Sequence, residues 1–287
     1  MDLVICVALK DCYFLKKNIA FIEKNINPDR IFIVTDSRNF KYIPKKEEKI
    51  FPIDENNLLP ELSFKRVKSL IDKYIGIPNY GWYYQQLLKL GFARSKFAGE
   101  EYLSWDSDTV PLNPLIFKNQ SHVLILPKKE HHQPYFDAID KLIVCERKAN
   151  YSFIAEHFLF STHIVKEMLK EIESRVNCDW VESIFRCVNY NCGQGFSEFE
   201  TYGTYCLNRY PDMFQIRNLN TFRFGSKIFG VVATMEEIRS LSFDLDTVSF
   251  EMSDFPVALW RRIIQKCMLT YYKIVSKLRM KIKNFPL

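Results

Sequence analysis

The sequence predicts an α/β fold, a mixed and mostly parallel sheet flanked by helices, followed by a C-terminal amphipathic helix. Three observations carry that expectation. Apolar runs of strand length alternate with helix-period segments through the first third, the rhythm of parallel strands joined by helical crossovers. The 287 residues, 47% hydrophobic and 26% charged, suffice for a substantial core under an ordinary solvated surface. No internal repeat, low-complexity tract or Gly/Pro/Ser linker interrupts residues 1–254, which therefore read as one compact unit, with 255–287 as a tail.

Taken in order, Leu3 to Leu9 is a continuous apolar run of strand length, and Asp11 to Asn25 follows with helical spacing. Arg30 to Ser37 is a β-branched strand ending in polar residues, and Lys49 to Ile53 a third strand. Two helical patterns, Glu61 to Ile75 and Tyr80 to Phe97, are separated by the breaker Gly76-Ile77-Pro78. Glu101 to Asp106 reads as a short buried strand. His122 to Pro127 is another strand, and Phe153 to Phe160 a strand entering the helix His163 to Ser174. Asp179 to Val188 is helical and Asn189 to Phe196 a loop; Ser197 then opens a helix, with Glu200 completing a capping-box signature. Lys227 to Ala233 and Phe243 to Phe250 close the body as strands.

Several classes are excluded by composition. Eight cysteines are scattered without a C-x-x-C pair, so zinc-ribbon and thioredoxin-like readings have no spacing to rest on. Only nine glycines are present, and no glycine-rich phosphate loop stands out. Asp2 stands where a signal peptide would carry basic residues, so the N-terminus reads as the first strand of a cytoplasmic domain with reduced thiols. No run of about eighteen apolar residues suggests a spanning helix. The net charge of +6 is uneven: residues 255–287 hold eight Lys or Arg and no acid, and all 34 acids lie before them. A nucleic-acid binder would spread basicity over its folded body, so no nucleic acid is expected as a partner.

Ligands of parallel sheets bind beyond the carboxyl ends of the strands. That rule gathers Ala8 to Asp11, including Lys10, with Thr35-Asp36 and Asp106 to Asp108 around one crevice. The sharpest feature is Asp106-Ser107-Asp108, directly after the apolar run Tyr102 to Trp105. Two carboxylates at i and i+2 leaving a strand suit a hard cation, Mn²⁺ or Mg²⁺, which keeps bound phosphates among its ligands. Such a cation would neutralise the diphosphate of a nucleotide-sugar as it departs.

The chain resembles a group of largely uncharacterised bacterial GT-A-like glycosyltransferases linked to capsule and lipopolysaccharide synthesis. The resemblance rests on Gly81-WYYQQLLKLGFA, Tyr102-LSWDSDTVPLNP, Ala155-EHFLFST and Gly195-FSEFETYGTY. It implies a GT-A-like, Rossmann-type fold, with residues 1–115 as donor-binding half and 116–254 as acceptor half. It further implies that Asp106 and Asp108 hold the metal, that Asp106 and Ser107 border the donor's diphosphate, and that Gln85, Gln86 and Lys89 line the donor side. A nucleotide-sugar donor and a glycan or lipid-linked glycan acceptor follow as partners.

For the acceptor, an inverting transferase needs a carboxylate within hydrogen-bond reach of the attacking hydroxyl. Glu198 and Glu200 open a helix after the Gly193-Gln194-Gly195 turn. Acids in a first helical turn also complement the helix dipole, so both readings stay open; Glu198 is taken as base and Glu200 as capping partner or acceptor ligand. His157, flanked by apolar residues, is either a core histidine or an acceptor or phosphate contact, and Glu156 beside it is an equal candidate. The pair His131-His132 receives no role. Trp82, Tyr83 and Tyr84 read as core aromatics or a stacking platform, and Arg217, Arg223 and Lys227 as solvated bases or phosphate contacts.

Two competitors remain. Phe243-DLDTV-Ser249 repeats the acidic pattern with Asp244 and Asp246 and reads as solvated surface. D-x-D-T-V also satisfies a haloacid-dehalogenase-type phosphatase signature, with Asp106 as nucleophile. That fold places its motif after the first core strand, with a later lysine and an acidic pair on the metal. Here about a hundred residues of α/β pattern come first, and no Asp-Asp pair stands downstream. A non-catalytic peripheral protein on the same fold is the third reading. In the tail, Ile263, Ile264, Cys267, Tyr271, Ile274, Val275, Leu278 and Ile282 form an apolar stripe beside basic residues. That pattern suits an interfacial helix on anionic lipid, placing the protein peripherally on the inner face of the cell membrane.

Overall fold

The computed structural model describes residues 1–45, 48–230 and 233–251, together with Ile263, Cys267, Thr270, Tyr271 and Ile274. The strands in chain order are β1 (Asp2–Cys6), β2 (Ile31–Thr35), β3 (Ile50–Asp54), β4 (Glu101–Trp105), β5 (Thr109–Pro111), β6 (Lys118–Asn119), β7 (His122–Ile125), β8 (His157–Ser161), β9 (Phe214–Ile216), β10 (Thr221–Phe222) and β11 (Thr247–Ser249). The helices are α1 (Cys12–Asn25), α2 (Phe64–Tyr74), α3 (Tyr80–Gly91), α4 (Gln133–Leu142), α5 (Thr162–Val176), α6 (Trp180–Cys187), α7 (Glu198–Arg209), α8 (Gly225–Phe229) and α9 (Met235–Ser240). The mixed, mostly parallel sheet flanked by helices is thus present. Two compact units interleave along the sequence.

The first unit comprises Met1–Leu9, Pro28–Asp106 and Phe117–Asn218. Its sheet runs β3-β2-β1-β4-β8, with four parallel strands and an antiparallel edge strand, β8. β1 and β2 are buried along their whole length, because strands covered on both faces need apolar residues at every position rather than at alternate ones. At their carboxyl ends the Thr35 hydroxyl donates to the Val7 carbonyl at 2.7 Å, fastening β2 to β1. Aromatic rings fill the space between sheet and helices: Tyr102 lies 5.3 Å from Phe160, and Phe160 4.7 Å from Tyr202. A small second sheet, β6-β7-β9, completes this unit.

The second unit comprises Lys10–Asn27, Ser107–Ile116 and residues from Leu219 onward. Its sheet, β10-β11-β5, packs with α1, α8 and α9 around Phe14, Phe21, Val110, Leu112, Phe229, Ile238, Val248 and Phe250. Two buried amides of α1 fasten β5: Asn18 Nδ2 donates to the carbonyls of Ser107 (3.1 Å) and Thr109 (2.7 Å), and Asn25 Nδ2 to that of Pro111 (2.7 Å).

Three local expectations are corrected. Where the sequence predicts a strand from Lys227, Gly225–Phe229 is a short helix, since a brief apolar run has no period to choose between the two states; residues 231 and 232 lie outside the described residues. Of residues 243–250, only Thr247–Ser249 is strand, and Leu241–Phe243 is a 3₁₀ turn. At α7, Ser197 accepts from the Glu200 N–H, but the Glu200 carboxylate turns away, so the capping box is half formed. A complete box exists at Thr234 and Glu237. The tail expectation falls mostly outside the described residues. Ile263, Tyr271 and Ile274 are helical and 57%, 70% and 55% exposed, and Cys267 is exposed as well. Among the described residues no helix is long and apolar enough to cross a membrane.

Candidate functional site

The parallel order of β1 to β4 brings the carboxyl ends of four strands to one edge of the first unit. Val7 and Ala8 follow β1, Thr35 and Asp36 end β2, Asp54 and Glu55 end β3, and Asp106 follows β4. The Asp106 N–H donates to the Glu156 carbonyl at 3.0 Å, a continuation of the β4–β8 ladder that fixes where its side chain starts.

At this edge Lys89 of α3 is the central group. It is 3% exposed, and its ammonium donates to Asp106 Oδ1 at 2.8 Å and to Glu198 Oε1 at 2.9 Å. A buried ammonium survives only when paired. Burial disfavours its charge, but Asp106 and Glu198 outweigh that cost and hold its pKa above the ordinary lysine value. Its backbone is fixed from β4 by the Tyr102 hydroxyl, which donates to the Lys89 carbonyl at 2.7 Å, and the ammonium lies 4.5 Å from the Phe199 ring centre. One turn earlier on α3, Gln86 Oε1 accepts from the Glu198 N–H at 3.1 Å. The first turn of α7 is therefore tied to α3 through both its backbone and its carboxylate.

Asp106, Lys89, Glu198 and Gln86 are thus brought together, while Gln85 is half-buried on the same helix. Thr35 is buried with its hydroxyl committed to Val7 and to the Asn39 amide. Asp36 is bound by Arg38, whose hydrogen bonds lower its pKa. Ala8 is exposed at the end of β1. Lys10, Ser107 and Asp108 belong to the second unit: Lys10 is exposed, Ser107 buried, and the Asp108 carbonyl accepts from the Phe250 N–H.

Glu200 is buried and its Oε2 accepts from Ser152 Oγ (2.6 Å) and the Phe153 N–H (3.1 Å), bracing the strand end at 152–153; burial raises its pKa. His157 is buried and stacks on Trp105, ring centres 5.0 Å apart and 21° off parallel. Arg217 donates to its Nε2 at 2.7 Å, and burial, then Arg217 and Lys128, push its pKa well below the usual range, so the ring is neutral. Glu156 pairs with Lys128 at 3.2 Å. Asp246 of the second acidic pattern accepts from the Asn220 N–H, a turn contact within the second unit.

Two members escaped the sequence. Cys6, at the end of β1, sits in the field of Lys89, Glu55, Asp106 and Glu198, and burial pushes its thiol up to about 12. Glu55 is pushed up to about 7 by burial and by the charges of Asp36 and Asp54. Their only signal was position directly at a strand's carboxyl end.

Carboxylate oxygens are the donors that Mg²⁺ and Mn²⁺ prefer. The Asp106 side chain is 33% exposed, and only its Oδ1 is engaged by Lys89, so the chemistry of the donor set fits such a cation. No group of three His, Cys, Asp or Glu is assembled for a metal among the described residues; the remaining ligands would come from phosphate oxygens and water.

No curated protein sequence matches the chain. Among solved structures it is similar to the galactosyltransferase LgtC in complex with donor and acceptor sugar analogs, at TM-score 0.46 and 12% identity, covering 87% of each chain. An active-site mutant of LgtC gives TM-score 0.48 at 12% identity, covering 94% of this chain and 96% of that one. Mouse xyloside xylosyltransferase 1 in its apo form gives 0.45 at 9%, covering 90% and 100%. Similarities of this degree carry no argument about activity. At the level of sequence, the family of unknown function DUF6492 matches residues 8–221, well over half of the chain, and the protein belongs to that family.

Proposed function

We propose that the protein is a glycosyltransferase of GT-A-like fold that moves a sugar from a nucleotide-sugar to a glycan or lipid-linked glycan in bacterial surface polysaccharide synthesis. The observation that carries this reading is the Asp106–Lys89–Glu198 cluster at the carboxyl edge of the parallel sheet. An acid that meets solvent, a buried cation behind it and a second acid at a helix start suit a reaction in which negative charge builds on a departing diphosphate.

Asp106, with Asp108 two residues on, would hold Mn²⁺ or Mg²⁺, and the cation would supply charge neutralisation to the diphosphate. Lys89 holds Asp106 and Glu198 at fixed separation and adds a permanent positive charge beneath the donor. Glu198 is proposed to receive the acceptor hydroxyl's proton. Gln85 and Gln86, with Asp36, Thr35, Ala8, Lys10 and Ser107, border the donor, while Glu200 and His157 support the acceptor side. The exposed apolar residues Ile263, Tyr271 and Ile274 and the basic tail support docking on the anionic inner surface of the cell membrane.

The test is a panel of nucleotide-sugars incubated with the full chain, with nucleoside diphosphate release measured with Mn²⁺ and with chelator. We expect cation-dependent release with one donor, lost by about 100-fold or more in Asp106→Asn and Asp108→Ala, the order found when one electrostatic stabiliser is removed. Turnover indifferent to chelator, or release of inorganic phosphate from simple phosphoesters instead, would overturn it.

A further inference from the structure

A pocket of about 550 Å³ opens at the N-terminal end of α3, lined by Ile77, Pro78, Asn79, His132, Asn191 and Gln194 among others. Its size lies within the range of about 300–1,000 Å³ typical of small-molecule sites. Three connections of the first unit form it: residues 75–79 before α3, His132 before α4, and residues 189–195 ahead of α7.

These connections are fastened to one another. The Asn191 N–H donates to the Ile75 carbonyl at 2.8 Å, and Asn79 Nδ2 to the Gly193 carbonyl at 2.9 Å. His132 Nε2 meets the Gln194 carbonyl at 2.8 Å, and the Tyr83 hydroxyl donates to the Cys192 carbonyl while accepting from the Gly195 N–H, both at 2.9 Å. Two backbone positions are left-handed, Gly76 at φ +77° and Asn191 at +62°, residue types that tolerate that region. The concavity is therefore built into the loops before any ligand arrives.

No Lys, Arg, Asp or Glu lines it. The amide side chains of Asn191 and Gln194 are exposed, each offering a donor and an acceptor side by side. The His132 ring packs edge-on against Tyr135 at 4.5 Å, and Tyr135 stacks with Trp82 at 6.4 Å, which backs the polar wall with rings; Ile77 and Pro78 supply an aliphatic wall. Paired amides match vicinal hydroxyls, and the apolar wall matches the C–H face of a pyranose. A phosphate or carboxylate ligand would call for Arg or Lys in the lining.

We propose that this pocket binds neutral sugar residues of the acceptor glycan. The proposal rests on the transferase reading only for the word acceptor. Asn79, Tyr83, Gln86 and Lys89 recur on one face of α3, so the pocket lies about 15 Å along that helix from the Lys89–Glu198 pair, at 1.5 Å per residue. On the other side Gln194 precedes Glu198 by a few residues. The pocket and the Lys89–Glu198 pair are therefore joined along α3 on one side and through the segment leading into α7 on the other.

The experiment is binding, which needs no turnover. Labelled full-length protein is applied to an array of neutral and acidic oligosaccharides, and the best neutral binder is then titrated by saturation-transfer NMR. Asn191→Asp keeps shape and left-handed tolerance while removing the amide donor; Gln194→Ala removes the second amide. Each is expected to weaken the neutral glycan by about tenfold, equivalent to about one hydrogen bond, while Lys170→Ala, at an exposed position of α5, does not. Binding of no neutral glycan, affinity unchanged from that of the wild type in both variants, or displacement by inorganic phosphate overturns the proposal. Glycan binding without hydrolysis of any nucleotide-sugar would instead sink the transferase reading and leave the pocket standing.

Discussion

Lys89 shows how much of a site one residue can organise. With both its acids in contact, removing the ammonium leaves Glu198 charged, buried and unpaired. Lys89→Ala is expected to cost about 3–5 kcal/mol, read as a fall in the urea midpoint. Adding Glu198→Gln should recover part of that loss, a non-additivity that a double-mutant cycle detects. Glu55 makes a second residue-scale prediction, about pH. Its folded pKa is raised to about 7 by burial and then by Asp36 and Asp54, above the unfolded value of about 4.3. A raised acid binds its proton more tightly when folded, so stability falls as pH climbs from about 4.5 to 7 and stays lower beyond. Glu55→Gln should flatten that part of the melting-temperature profile and gain about 1 kcal/mol at pH 8, once solvent screening is allowed for. The first acid, Asp106, was legible because it directly follows an apolar strand; the pairing of Lys89 with Glu198 was not, since 109 residues separate them.

Among elements, α1 and α7 are the informative ones. The helical period of 11–25 was readable, but not that Asn18 on α1 would hold the Ser107 and Thr109 carbonyls and so set the course of the D-x-D segment. Asn18→Ala strands those buried acceptors and is expected to destabilise by about 2 kcal/mol, measured by thermal denaturation. On α7, an added Cβ at Gly203 would stand 2.3 Å from the Phe153 ring. Gly203→Ala should therefore destabilise by about 1–3 kcal/mol through overpacking, despite alanine's better helix propensity. The capping-box pattern Ser197-x-x-Glu200 misled for a physical reason: once Ser152 and the Phe153 N–H lay within reach, they outcompeted the cap for the Glu200 carboxylate. Residues 227–233 misled differently, because Gly225 and Phe229, one helical turn apart, both sit in the second unit's buried interior.

At the scale of the whole molecule, charge is segregated: a near-neutral body precedes a tail of eight Lys or Arg without an acid. Each base near an anionic lipid surface contributes about 1 kcal/mol. The full chain should co-sediment with phosphatidylglycerol vesicles but not with phosphatidylcholine vesicles, and lose binding as salt rises. Lys277→Glu with Arg279→Glu should weaken that binding by more than tenfold; equal binding to both vesicle types would remove the membrane from the account. What the sequence determined by itself is what is local: the alternation of strands and helices as far as β4, the parallel class of the sheet, and an acid at the carboxyl end of β4. Those follow from apolar periodicity and chain direction, which each segment carries alone. The tertiary structure decided which distant groups meet: Lys89 with Glu198, Glu200 with Ser152, and three loops around one concavity. Such contacts depend on how finished elements pack, and no single segment holds that information.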